Sequence, residues 1–83
     1  MEWEIYEMHS DTAPIQGVGC RGRIQLFALT HGLQVKAWNL ENGNVRFAVP
    51  KGTDAKALHA HLKKIYKGLR IRKIAADEMV PLF

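Results

Sequence analysis

The stretch Leu33-Gln34-Val35-Lys36-Ala37-Trp38-Asn39-Leu40-Glu41-Asn42-Gly43-Asn44-Val45-Arg46-Phe47-Ala48-Val49 holds two short alternating runs on either side of a turn. Leu33, Val35 and Ala37 alternate with Gln34, Lys36 and Trp38, and Val45, Phe47 and Val49 repeat the pattern. A period of two places the apolar set on one face, so each run predicts a half-buried strand. Asn42-Gly43 is the strongest short hairpin signal, because both residue types tolerate positive φ. Strands joined by so short a turn run antiparallel, which excludes a sheet built only of parallel βαβ units.

Toward the C-terminus, Pro50-Lys51-Gly52 breaks the second strand. Thr53 is expected to cap a helix whose apolar positions Ala55, Leu58, Leu62 and Ile65 are spaced three, four and three. Asp54 in its first turn and Lys63, Lys64 and Lys67 near its end suit the helix dipole, and Gly68 stops it. Leu69 to Ala76 reads as another strand, and Met79 to Phe83 as a short terminal one limited by Pro81. Toward the N-terminus, Ile24, Phe27, Ala28 and His31 recur at helical spacing, with Leu26 and Leu29 widening the stripe and Gly32 at the C-cap. Trp3 to Met8 is apolar at 3 and 5, then at 6 and 8, so the slipped alternation predicts a first strand with a bulge.

The order is therefore strand, helix, strand, strand, helix, strand. Both helices must bury their stripes on one face of a single sheet, which predicts a two-layer α+β sandwich. Eighty-three residues make one domain, 1–83, without internal repeat or linker. Hydrophobic residues at 47% and charged ones at 24% exclude a disordered chain. A single cysteine cannot form an internal disulfide, as suits a reducing compartment. Met1-Glu2-Trp3-Glu4 lacks the pattern of a secretory signal, and no apolar run approaches the ~20 residues needed to cross a membrane. A cytoplasmic protein is expected.

The net charge of +4 is unevenly placed. Glu2, Glu4, Glu7 and Asp11 crowd the start, whereas Lys63, Lys64, Lys67, Arg70, Arg72 and Lys73 crowd the later part with no acid among them. A basic cluster can contact nucleic acid. Here no aromatic platform accompanies it, so a solvated face with cations at a helix C-terminus is the expected role.

Between the first strand and first helix stands Ile15-Gln16-Gly17-Val18-Gly19-Cys20-Arg21. Glycines let backbone N–H groups gather at a helix start into an anion site, and Arg21 adds a planar fork of donors. The segment resembles the acylphosphatase signature, usually Gln-Gly-Val-Gly-Phe-Arg. The resemblance covers roughly Ile15 to Ala76: Gly32-Leu33 falls where that family closes its first helix, Asn39 on its catalytic asparagine, and Gly43 on the glycine of its hairpin. It implies a ferredoxin-like βαββαβ fold with an antiparallel sheet in order 4-1-3-2. It also implies phosphate held by Gly17, Val18, Gly19, Cys20 and Arg21, and an attacking water oriented by Asn39. The substrate would be a small acyl phosphate, with no metal or other cofactor, and the protein a monomer. Departures from the pattern are Ala13 and Pro14, where a continuous strand with glycine is usual, and Gly22 and Arg23, where bulky residues are. Val35-Lys36-Ala37 stands where Gly-Trp-Val is typical, Trp38 where a basic or polar residue is usual, and His31 where leucine is.

Other patterns carry less. Gly17-x-Gly19-x-x-Gly22 with Glu41 mimics a dinucleotide fingerprint, but that fingerprint requires two parallel βαβ halves. Cys20 beside Arg21 invites a thiolate nucleophile, yet cysteine phosphatases place the arginine six residues on, where Leu26 stands. Cys20 is thus expected to be a small apolar filler. His59 and His61 are two apart on a helix, and His9 and His31 lack a partner in spacing, so no metal cluster is expected. Two alternatives remain: a relative that keeps the fold and anion cradle without turnover, or an RNA-binding βαββαβ module. The latter needs stacked sheet aromatics, of which Arg46-Phe47-Ala48-Val49 offers one.

Overall fold

The computed structural model describes residues 2–12, 14–17 and 19–74 of the chain. Its elements run β1 (Trp3–Ser10), α1 (Cys20–Thr30), β2 (Lys36–Asn39), β3 (Val45–Pro50), α2 (Lys56–Ile65) and β4 (Leu69–Lys73). The four strands form one open sheet in the order β2-β3-β1-β4, and every pairing is antiparallel. This is the expected order 4-1-3-2 read from the opposite edge, consistent with a ferredoxin-like sandwich. The expected strand at Met79 to Phe83, and the end of the one expected to reach Ala76, lie outside the described residues.

Both helices pack on the same face of the sheet. Ile24 from α1 with Leu58 and Leu62 from α2 shares one buried cluster with Met8, Ala37, Val45, Phe47 and Val49 from the strands. Phe47 is fully buried and stacks on Tyr6, its partner across the β1–β3 pair, at 5.2 Å between ring centroids. Burying one such side chain stabilises the fold by roughly 1.5–3 kcal/mol.

The expected bulge in β1 is not there. Its register with β3 runs without interruption from Trp3 opposite Pro50 to Met8 opposite Val45. The alternation slips because both faces of this central strand are buried. Tyr6 and Met8 face the helices, while Ile5 and Glu7 are buried on the other side. An apolar residue on each face erases the period-two signal without any extra residue.

Three local expectations are corrected as well. Leu26 and Leu29 do not widen the α1 stripe: they are 64% and 80% exposed, since at 100° per residue they lie opposite Ile24 and Ala28. Thr53 does not cap α2. Asp54 Oδ1 accepts the N–H of Lys56 at 3.0 Å instead, as an aspartate readily does two residues on, and so lies just before the helix. In the β2–β3 hairpin only Gly43 has positive φ, at 93°, so Asn42 does not share the left-handed role. Gly43 N–H donates to Leu40 O at 3.3 Å and Leu40 N–H to Asn44 O at 2.9 Å, a three-residue loop with glycine at its left-handed position. The close of α1 follows expectation: Leu33 N–H reaches Ala28 O at 2.7 Å and Gly32 N–H reaches Leu29 O, with Gly32 at φ 66°.

The two charge clusters of the sequence meet across the β1–β4 pair. Arg72 Nη2 contacts Glu7 Oε2 at 3.2 Å, Arg70 Nε contacts Asp11 Oδ2 at 3.2 Å, and Lys73 lies 3.8 Å from Glu4. Glu7, only 4% exposed, also accepts from Arg46 Nε at 2.7 Å and Asn44 Nδ2 at 2.9 Å. Burial alone would raise the Glu7 pKa. Hydrogen bonds from Arg46, Asn44 and Arg72, with the charge of Arg46, outweigh it and hold the carboxyl below its ordinary value.

A depressed folded-state pKa stabilises fully above the unfolded value, about 4.3 for Glu, and that contribution is lost as pH falls through the folded pKa. Glu7→Gln should lower stability at neutral pH by about 1–3 kcal/mol and remove this part of the acid sensitivity. Denaturation midpoints measured from neutral to strongly acid pH should fall more steeply for the parent. Parallel curves would contradict the assignment.

Candidate functional site

The turn into α1 is made by two glycines in the left-handed region, Gly17 at φ 76° and Gly19 at φ 81°. A Cβ built on either would meet no atom within 4 Å, so it is the dihedral angle that calls for glycine, not crowding. Gly19 occupies the N-cap of α1 and offers no side-chain cap, and the first turn carries no acid. The first helical bond runs from Arg23 N–H to Gly19 O at 2.9 Å, so the N–H groups of Cys20, Arg21 and Gly22 precede the ladder. A left-handed residue followed by a helical one turns successive N–H groups toward a common point, a geometry that favours anions. Val18 lies outside the described residues.

Arg21 is exposed in the first turn of α1, and Asn39 is exposed at the end of β2, opposite Val45. The two elements that carry them, α1 and β2, pack on each other. The tie between them is Gln16, a residue with no expected role. Its Nε2 donates to Leu40 O at 2.5 Å and to Asn44 O at 2.8 Å. Leu40 directly follows Asn39, so the loop is bonded to the hairpin beside the asparagine. Sequence spacing carries no hint of this contact, since the partners lie 24 and 28 residues on. Beside the loop entry is an open cavity of about 420 Å³, between Asp11, Thr12 and Pro14 on one side and Asn42 and Gly43 on the other.

Cys20 opens α1 and is 2% exposed. Burial pushes its thiol up, more than the neighbouring Tyr66 hydroxyl and Arg23 charge pull it down. Tyr66 Oη is itself buried and has no hydrogen bond of regular geometry among the described residues, although it sits close enough to the thiol and Arg23 to feel both. A thiol held protonated in an apolar site is a poor nucleophile.

Three of the four histidines pack on rings, and the fourth, His9, has Nε2 3.8 Å from Asp11 Oδ1. His59 lies edge-on to Tyr6 at 4.7 Å and His61 tilts on Phe27 at 4.9 Å, so the two diverge. His31 stacks on Phe27 at 3.9 Å with Nδ1 at 2.9 Å from Phe27 O. Among the described residues no three His, Cys, Asp or Glu side chains gather as metal ligands would.

No protein-family model matches the chain, and no curated protein matches it either. The acylphosphatase resemblance therefore stands on the quoted residues alone.

Gly19 and Gly22 should respond oppositely to alanine. Gly19→Ala forces a Cβ into left-handed backbone and should cost roughly 1–2 kcal/mol. Gly22→Ala, inside the helix without positive φ, should gain about 0.5–1 kcal/mol. Urea midpoints of the two variants check this. The same buried geometry predicts that Cys20 resists a thiol reagent in the folded protein and reacts fully on unfolding, and that Cys20→Ala keeps whatever turnover the parent has. Fast labelling of the native chain, or loss of turnover with the fold intact, would restore Cys20 as a nucleophile.

Proposed function

We propose that the chain is an acylphosphatase-type hydrolase of ferredoxin-like fold, cleaving small acyl phosphates to carboxylate and inorganic phosphate. The carrying observation is the start of α1: two left-handed glycines lead into an uncapped helix N-terminus with Arg21 exposed on its first turn. An acyl phosphate is a mixed anhydride whose carboxylate leaves without being protonated. Its hydrolysis asks chiefly for neutralised phosphate charge and a water held in line. In this reading the phosphate sits on the N–H groups of the loop of Gly17, Val18, Gly19 and Cys20, under the guanidinium of Arg21. Asn39, neutral and both donor and acceptor, orients the water. Water attacks phosphorus, the bond from phosphorus to the acyl oxygen breaks, and no side chain is asked to act as a general base. No cofactor enters, and a monomer working in the cytoplasm suffices.

The RNA-binding alternative draws no support from Phe47, which is fully buried against Tyr6. Nor does the basic cluster favour it, because Arg70, Arg72 and Lys73 face Asp11, Glu7 and Glu4.

The test is turnover of a small acyl phosphate such as benzoyl phosphate, with inorganic phosphate as inhibitor. Arg21→Ala should lose rate and phosphate affinity together, by roughly ten- to a hundredfold, as the loss of a charge-assisted contact of about 1.5–3 kcal/mol requires. Asn39→Ala should lower kcat while leaving the phosphate inhibition constant nearly unchanged. An Asn39→Ala protein as fast as the parent would overturn the mechanism. An inactive parent that still binds phosphate would make the chain a relative without turnover.

A further inference from the structure

Gln16 is the residue before the first loop glycine, yet its side chain leaves the loop altogether. Its amide nitrogen donates to the carbonyls of Leu40 and Asn44, at 2.5 and 2.8 Å, and Gln16 is half-buried in doing so. Those two carbonyls flank the hairpin. Asn44 O also takes the N–H of Leu40 at 2.9 Å, the bond that closes the turn next to Asn39. The hairpin is in turn anchored to the middle of the sheet, because Asn44 Nδ2 donates to the buried Glu7 carboxylate, itself held by Arg46 and Arg72. A continuous path of hydrogen bonds thus runs from β1 through the hairpin to the loop, and Gln16 is its only link that crosses to the loop among the described residues.

We infer that Gln16 is a positioning residue for the proposed hydrolysis, setting the separation between the anion loop and Asn39 by bonding its amide to the Leu40 and Asn44 carbonyls. The inference rests on the acyl phosphate reading above. The loop and Arg21 belong to one local segment and can hold phosphate without help. Asn39 arrives from a different strand, so its distance from the phosphate is a tertiary quantity. A water must lie in line between them, and a displacement near 1 Å costs such a reaction about a hundredfold. Both donors of one amide fixed on two adjacent backbone acceptors restrict translation and rotation of the loop against the strand end, which a single bond would not.

The experiment is a double-mutant cycle of Gln16→Leu and Asn39→Ala, scored by kcat and by the phosphate inhibition constant. Leucine keeps the bulk and removes the donors. Gln16→Leu alone should lower kcat about ten- to a hundredfold with little change in phosphate affinity. In the Asn39→Ala background it should cost almost nothing more, because a residue that acts through Asn39 has nothing left to position. A purely structural Gln16 would instead show additive losses, and those would overturn the inference. So would a Gln16→Leu protein as fast as the parent. If Gln16→Leu does not fold, Gln16→Asn keeps the amide but shortens its reach, and must show the same loss of kcat. A parent without turnover removes the hydrolase reading while leaving the brace measurable. Phosphate titrated into the parent should then shift the amide NMR signals of residues 39–44, and in the Gln16 variant it should shift only those of the loop. Hairpin signals that still respond in the variant, or a parent that binds no phosphate, would refute the brace.

Discussion

A single carboxylate buried in the middle of the sheet ties three of its four strands and the hairpin that leads from the fourth. Glu7 sits on the central strand, and its charge is tolerated there because Arg46 from β3, Arg72 from β4 and Asn44 from the hairpin all donate to it. β1 would otherwise be poorly registered, since it carries apolar side chains on both faces. A slip by one residue would send Glu7 among Phe47, Leu58 and Leu62 and leave two arginines without it. Hydrophobic burial draws β1 into the sheet. The carboxylate decides which face goes where.

That constraint also explains the uneven charge along the chain. Acids at the start and bases near the end look like separate features in one dimension, but antiparallel pairing of β1 with β4 sets them side by side. Of these, the Arg70–Asp11 and Lys73–Glu4 pairs, whose basic partners are open to solvent, add little stability individually. Their larger effect is on partners: arginines and a lysine that face carboxylates present a weaker positive field than the sequence suggests. β4 is an edge strand, and charged side chains along it also discourage pairing with another chain.

The loop before α1 rests on a different kind of constraint. Gly17 and Gly19 touch nothing that a side chain would hit, so their value lies in backbone angles that other residues reach only with strain. These angles turn the chain into α1, whose first N–H groups precede the helical ladder and take no side-chain cap. The apolar side of the same turn is filled by Cys20, buried and protonated. One short segment thus combines left-handed backbone with a side chain that enters the core. The proposed chemistry needs both, because an anion cradle that flexes would not hold a water in line.

Local pattern determined the element types and their order. Alternation marked β2 and β3, helical spacing marked the inward faces of α1 and α2, and Gly32 closed its helix as expected. Such features are legible because they depend on residues within a turn or two of each other. The left-handed backbone at Gly17 and Gly19 is legible for the same reason, whereas the roles of Arg21 and Asn39 belong to the proposed function. Features that depend on distant partners were not legible. Leu26 and Leu29 look like core until the helix is seated against the sheet. The bulge expected in β1 dissolved because burial on its second face comes from other strands. Glu7 and Gln16 are the clearest cases: a buried carboxylate and a surface-like glutamine acquire their roles from residues up to 65 positions away. Sequence supplies the groups and their local geometry, and only tertiary packing decides which of them share a hydrogen bond, because that depends on chain segments brought together by burial.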